Sequence, residues 1–430
     1  MRKILLISAA LMFLLSGCRG LVPKTDDLER TTQGLAQPLL NEPKPLLPDK
    51  FDHEDKAYVS AAEKSNEFGL AVSEKLLTDS ENLLYSPYSA YLALSCISAG
   101  ASYKAKEELT NVLVPEGMTD EEFHRANAVL LGLLMDDETK PLDIATLICT
   151  DDDIAPDEKF AQNALDNYRG ETASVDFSAP GAKDAINSWA YKKTRGLIPN
   201  ALSDDPGPAS VLVLVNSLYF SGRWAWEFDP EKNESLTFKG AKEETGATFM
   251  VKTGKQRYFE DEQVQAVKMD FRGSSSMAVI LPKEGISVHD VIKALSEGSL
   301  ELSFNDHKGT LKLPRFNIDT SHELNEVLEE LGLKVMFDSS VNSFGGIARE
   351  ELPAPVFISR VFQKAAIEVD EKGTTAAAVT VIEAPAAEPP PEEEPPPFEM
   401  IVDRPFILLL MQRARASEVI LFVGVVNNID

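Results

Sequence analysis

The chain has 430 residues, 43% of them hydrophobic and 26% charged, a globular mixture with ample core material. Its 42 Lys and Arg against 69 Asp and Glu leave a net charge of −27, which argues against a nucleic-acid binder because phosphate is repelled over most of the surface. Three cysteines exclude a disulfide-stapled scaffold, and outside the first residues no apolar run is long enough for a polytopic membrane protein.

The N-terminus reads as an export signal. Arg2 and Lys3 supply positive charge, and Ile4 to Leu15 is an apolar stretch too short to span a bilayer comfortably. Leu15-Ser16-Gly17-Cys18 resembles the bacterial lipoprotein box, in which small residues admit a peptidase and the cysteine is acylated. The expectation is a signal over residues 1–17, lipid on Cys18, and a place in the bacterial cell envelope or at the cell surface. An ordinary cleaved signal with a chance cysteine is the bland alternative. Residues 18–52 carry Pro23, Pro38, Pro43, Pro45 and Pro48 and read as an extended tether.

One folded domain is expected over residues 53–430. Ser86-Pro87 starts a helix, with Ser as cap and Pro in the first turn. Cys96 lies in its apolar run and reads as a buried small hydrophobe, while a pairing of Cys96 with Cys149 is left open. Asn187 to Arg195 reads as a helix, and Val211 to Phe220 as a strand covered on both faces. Met277 to Leu281 and Leu311 to Leu313 are shorter strands. Thr320-Ser321-His322-Glu323 has the capping-box pattern. Leu324, Val327, Leu328 and Leu331 then share a helical face, and Gly332 is the stop. Val356 to Phe362 and Ala365 to Val369 read as strands, and Phe406 to Met411 with Val419 to Val426 as a terminal hairpin. Between them, Pro385 to Pro405 holds eight prolines in a long loop inside the domain. Helices early and strands late make an α+β domain with largely antiparallel sheets.

Enzyme chemistry finds little support. The five histidines, His53, His124, His289, His307 and His322, lie in no zinc pattern, and G-x-S-x-G, Walker and G-x-G-x-x-G motifs are absent. Asp151-Asp152-Asp153 reads as a solvated charge run before a cation site. No enzyme activity, metal or cofactor is expected.

The informative stretch is Glu368 to Glu388. From Gly373 to Ile382 it has no charge, no proline and no aromatic. One strand face would carry Thr374, Ala376, Ala378, Thr380 and Ile382, mostly small enough to slip into a packed interior. A plain alanine-rich loop is the competing reading.

This stretch resembles the hinge and reactive loop of the serpins. Asn216-Ser217-Leu218-Tyr219-Phe220-Ser221-Gly222-Arg223-Trp224 resembles the family's Asn-x-x-Tyr/Phe-Phe-x-Gly-x-Trp motif. Ser86-Pro87-Tyr88-Ser89, Ile186-Asn187-Ser188-Trp189 with Thr194 and Gly196, and Leu313-Pro314-Arg315-Phe316 are similar to further blocks. So are Leu331-Gly332 with Met336-Phe337, and Asp403-Arg404-Pro405-Phe406. They follow family order over about residues 53–430.

The resemblance implies a serpin fold of three mostly antiparallel β-sheets, eight or nine helices and an exposed reactive loop, here about residues 373–402. It implies a suicide-substrate inhibitor of serine proteases, with papain-like cysteine proteases as a further class. The cleaved loop would insert into the central sheet and trap the acyl-enzyme. The alternative is a non-inhibitory serpin acting as a binding or carrier module. By resemblance, the hinge comprises Glu371, Gly373, Thr374, Ala376, Ala378 and Thr380. Thr375 departs from the usual Glu. Arg315 matches the basic partner of Glu371, and Trp224 packs below them. Ser86, Ser89 and Asn216 match the polar cluster beneath the sheet, with Gln363 where the family usually has His.

Family spacing puts the acyl-donating residue about fourteen after the hinge glycine, in the loop that inserts. That is Ala387, cleaved before Glu388, with Ile382 and Glu383 as alternatives. The small apolar residues suit an elastase-like pocket. Glu392, Glu393 and Glu394 read first as a stiff solvated spacer. The helix near Glu121 to Met135, where some members bind glycosaminoglycans, is not basic, so no heparin dependence is expected. The partners expected are a target protease and a membrane, with the protein a monomer.

Overall fold

The computed structural model describes residues 35–38, 40–47, 56–139, 142–194, 196, 198, 200–350, 352–374 and 396–429. The signal, Cys18 and the central part of the loop lie outside the described residues.

The first part is helical: α1 (Ala57–Leu76), the short strand β1 (Leu83–Tyr85), α2 (Pro87–Ile97), α3 (Tyr103–Leu113) and α4 (Asp120–Met135). Then come β2 (Leu142–Thr150), α5 (Glu158–Tyr168), β3 (Glu171–Ser174), α6 (Ala182–Lys193), β4 (Leu212–Phe220) and β5 (Gly222–Arg223). The middle holds β6 (Glu234–Lys239), β7 (Glu244–Glu260), β8 (Val264–Asp270), β9 (Ser275–Pro282), α7 (Val288–Ser296), β10 (Asn305–Pro314), β11 (Phe316–Glu323) and α8 (Asn325–Glu330). The chain ends in β12 (Arg360–Asp370), β13 (Gly373–Thr374), β14 (Phe398–Ile401), β15 (Phe406–Ala414) and β16 (Ser417–Val426).

Local chemistry sets several boundaries. Thr119 and Glu122 form a reciprocal capping box at α4, and Ser287 with Asp290 does the same at α7. Pro87 opens α2 as expected, but Ser86 does not cap it with its side chain. Its hydroxyl donates instead to the Leu421 carbonyl at 2.7 Å. The box expected at Thr320–Glu323 is likewise absent, because these residues continue β11, paired antiparallel with Phe362 to Ala365 of β12. Thr320 Oγ1 is engaged by the Leu84 backbone, donating to its carbonyl at 2.7 Å. The helix starts later, at Asn325, with Leu328 buried and Gly332 in the left-handed region at φ +99° as its stop.

The strands form a seven-stranded sheet in the order β3-β2-β4-β12-β13-β5, with β11 on β12. A second network runs β1-β16-β15-β9-β8-β7-β10-β14, with β6 on β7. Two of the three expected sheets share the 17-residue β7, which pairs with β6, β10 and β8 and joins them into one network. Most ladders are antiparallel, and β4 with β12 is a parallel exception. A large apolar cluster fills the space between the sheets and the early helices. A smaller one lies between α6 and the outer face of β2, β3 and β4, with Phe362 of β12 as a further member.

Residues 35–38 and 40–47, read as part of an extended tether, pack against the body. Ala36 forms a bridge with Ser174 at the β3 edge, and Leu46 and Leu47 pack on the large cluster. Cys96 and Cys149 are both buried and unpaired, and burial raises both thiols above the ordinary range. Among the described residues no helix is long and apolar enough to cross a membrane.

Candidate functional site

The β4–β12 ladder runs from Arg360↔Val213 to Lys364↔Ser217 and stops there, although both strands continue. Above that point the sheet is split. At the mouth of the split the chain turns back, and β13 pairs with β12 on one side and β5 on the other. The first loop residues thus stand where a new strand would begin. Thr374 is fully buried, and its hydroxyl accepts from Gly222 N–H at 2.9 Å. Asp370 closes the turn by accepting from the backbone N–H groups of Lys372 (2.7 Å) and Gly373 (3.1 Å). Gly373 has φ +139°, and a Cβ there would lie 2.1 Å from the Gly222 carbonyl oxygen. Glycine is therefore required by conformation and by close approach together.

Glu371 anchors the turn. Its Oε1 accepts from Arg315 Nε at 2.7 Å and Nη2 at 2.5 Å, and from Asn233 Nδ2 at 2.6 Å. Glu371 is 7% exposed, whereas the Arg315 side chain is 48% exposed. Burial works to raise the Glu371 carboxyl, but the hydrogen bonds from Arg315 and Asn233 outweigh it and hold the group below its ordinary range. Below the pair, Trp224 stacks on Phe271 at 4.2 Å. Its indole N–H donates to Asp370 O at 2.9 Å and its backbone N–H to Lys372 O at 2.9 Å. Asn233 was not foreseen. It follows a short turn at Pro230–Lys232 and carries no motif, so only the tertiary fold brings it to Glu371.

Beneath the split, Ser86, Ser89, Asn216 and Gln363 form one buried cluster. Gln363 uses both ends of its amide on Ser86: Oε1 accepts from the backbone N–H at 2.7 Å, and Nε2 donates to the carbonyl at 2.9 Å. Nε2 also reaches Asn216 Oδ1 at 3.4 Å, an atom that accepts from the Ser89 hydroxyl. Asn216 Nδ2 donates to Thr146 Oγ1 on β2 at 3.0 Å. The cluster therefore ties β2, β4, β12, the start of α2 and, through Leu421, β16. Thr146 and Leu421 were not legible as members. His322 stands opposite Gln363 on β11. Burial lowers its pKa, the Leu84 backbone works against that, and Lys364 lowers it further.

The loop's far end is β14, parallel to β10. The Phe398 ring lies flat on Tyr258 at 4.0 Å and over the bare Cα of Gly309. Ala376, Ala378, Thr380, Ile382, Glu383, Ala387 and Glu388 lie outside the described residues. Asp151, Asp152 and Asp153 bring carboxylate oxygens within 4.8 Å of one another, and Asp151 accepts from Phe177 N–H at 3.2 Å, a structural use. His124 is buried against the Tyr168 hydroxyl, and His307 packs edge-on to Tyr258.

A family model described as Serpin (serine protease inhibitor) matches residues 63–429. An uncharacterized serpin-like protein of Thermococcus kodakarensis is 30% identical over 442 residues, covering 100% of this chain and 99% of its own. Iripin-2 of Ixodes ricinus is 30% identical, covering 85% of this chain and 92% of its own. The crystal structure of Serpin48, described as a highly specific serpin in the insect Tenebrio molitor, superposes with a TM-score of 0.76 at 26% identity, covering 88% of this chain and 100% of its own.

Proposed function

The chain belongs to the serpin family, whose members are generally protease inhibitors and not enzymes, and we propose that it is a suicide-substrate inhibitor of serine proteases. Papain-like cysteine proteases are a further target class. The observation that carries this reading is the split between β4 and β12 with Thr374 seated at its mouth. A target's nucleophile attacks the carbonyl of the bond after Ala387, with Ile382 and Glu383 as alternative acyl donors. An ester or thioester forms, the peptide bond breaks, and the new amine leaves on Glu388 with the C-terminal segment. The freed hinge then zips downward between β4 and β12, gaining a hydrogen-bonded ladder on each side and burying its small face. The protease is dragged along before water can release it. The small residues of the loop favour an elastase-like target. The Leu15-Ser16-Gly17-Cys18 box supports a separate part of the proposal, that lipid on Cys18 holds the protein at the bacterial cell envelope or the cell surface.

Incubation of the chain with neutrophil or pancreatic elastase tests this on a denaturing gel. A band at the summed mass, with a released C-terminal peptide starting at Glu388, is the expected result. Clean cleavage with no complex and no gain in thermal stability would overturn inhibition and favour a non-inhibitory carrier. Fatty-acid labelling that persists in Cys18→Ala would remove the anchor.

A further inference from the structure

Residues 35–38 and 40–47 run along one side of the body. Ala36 N–H donates to Ser174 O at 2.9 Å, and Ser174 N–H donates to Ala36 O at 2.8 Å, so the segment adds itself to the outer edge of β3. Gln37 donates its amide to Glu171 at 3.2 Å. Further on it crosses α5. Asn41 N–H donates to Gln162 Oε1 at 2.9 Å, and Lys44 N–H donates to Asp166 Oδ1 at 3.0 Å. The Lys44 ammonium lies 3.0 Å from the other Asp166 oxygen, and Arg169 donates to the Lys44 carbonyl at 2.6 Å. Asp166 is only 6% exposed, so these contacts compensate a charge held away from water.

The two ends of the segment rest on different bodies. Leu35 packs on the smaller apolar cluster, whose side chains come mainly from β2, β3, β4 and α6 and include Phe362 of β12. Leu46 and Leu47 pack on the larger one, where a Cβ on Gly132 of α4 would lie 2.9 Å from Leu47. A strand entering between β4 and β12 must move β4, β2 and β3 away from β12. Ala36 and Gln37, hydrogen-bonded to β3, travel with that block, while Leu46 and Leu47 stay on α4. The motion that admits a strand therefore stretches or detaches this segment.

We propose that residues 35–47 are a strap that holds the central sheet closed and slows entry of the uncleaved loop. The strap rests on the insertion reading above, since it resists only a motion that insertion requires. Two full-length variants test it. Ala36→Pro removes the N–H donated to Ser174, and Lys44→Glu sets a like charge against Asp166. Hydrogen exchange over residues 35–47 verifies release. The readouts are the loss of inhibitory capacity with time and the rise in melting temperature of uncleaved protein. Each variant is expected to convert about tenfold faster than the parent, the effect of losing roughly one net hydrogen bond, and an added synthetic peptide of residues 35–47 should slow it again. A released strap with an unchanged conversion rate overturns the proposal. Failure of the parent chain to gain thermal stability after loop cleavage would instead remove the insertion reading, and the strap's role with it.

Discussion

Arg315 grips a single oxygen of Glu371 with two of its nitrogens, at 2.7 and 2.5 Å, and so ties the end of β10 to the residue at which the reactive loop leaves its strand. The pair is unequal: the carboxylate is buried and the guanidinium half-exposed. Losing the arginine strands a buried acceptor, whereas an ordinary surface pair would lose almost nothing.

Arg315→Ala should therefore destabilise the native form by about 1–3 kcal/mol, the cost of an under-satisfied buried group. Asn233→Ala should act in the same direction and less strongly. Denaturant midpoints of the two variants and the double variant check this. Glu371 is also held below its ordinary pKa, so its contribution is present above the unfolded value of 4.5 and disappears as pH falls through the folded value. An acid-induced loss that is unchanged in Glu371→Gln would refute the assignment.

Gly373→Ala should expel the hinge from its seat. The new methyl would sit 2.1 Å from the Gly222 carbonyl oxygen on a backbone at φ +139°. The expected readout is loss of hydrogen-exchange protection at Gly222, whose N–H is given to the Thr374 hydroxyl. Protection equal to the parent would mean that the hinge is not held there.

Gln363→Ala would leave the buried Ser86 N–H without its partner, while the Ser86 carbonyl keeps the Ala90 N–H at 3.2 Å. A loss of about 1–3 kcal/mol is expected from one stranded buried donor. Gln363→His should keep part of this network and add a titrating group beside His322, giving the rate of loop insertion a pH dependence that burial moves to the acid side of the ordinary histidine range. Insertion rates measured from pH 5 to 8 in the parent and the variant decide it.

His124 gives a second pH signature. Burial depresses its pKa to about 4, with Asp120 opposing and Lys106 assisting. The unfolded chain then binds the extra proton between about pH 6.5 and 4, so stability is full above that window and falls as pH drops through it. The loss approaches roughly 3 kcal/mol at the acid end. His124→Gln should flatten the urea-midpoint profile over this window, and an unchanged slope would assign it to other groups.

Much of the site was legible because its parts are sequence-local. The alternating small residues after Gly373, the Asn216 to Trp224 block and the Ser86-Pro87 start each carry their own pattern, and their order along the chain names the fold. The Thr320–Glu323 box misled for the same reason. A capping pattern reports a local preference, and in the fold an eight-residue ladder with β12, together with the Leu84 backbone, overrides it. The proline-bearing stretch before the domain reads as an extended tether, yet residues 35–47 find a sheet edge and a carboxylate to bind, neither visible from composition.

By itself, the sequence determined the fold family, whose blocks depend on residue type at fixed spacing, and through that resemblance it pointed to Gly373 and to Glu371 with Arg315. Only the tertiary structure decided that the β4–β12 ladder stops at Ser217, that Thr374 is already seated above it, that Asn233 and Thr146 complete the polar networks, and that residues 35–47 lie across α5. These are contacts between residues far apart in the chain, and their partners are selected by packing and by the satisfaction of buried polar groups, which no local pattern encodes.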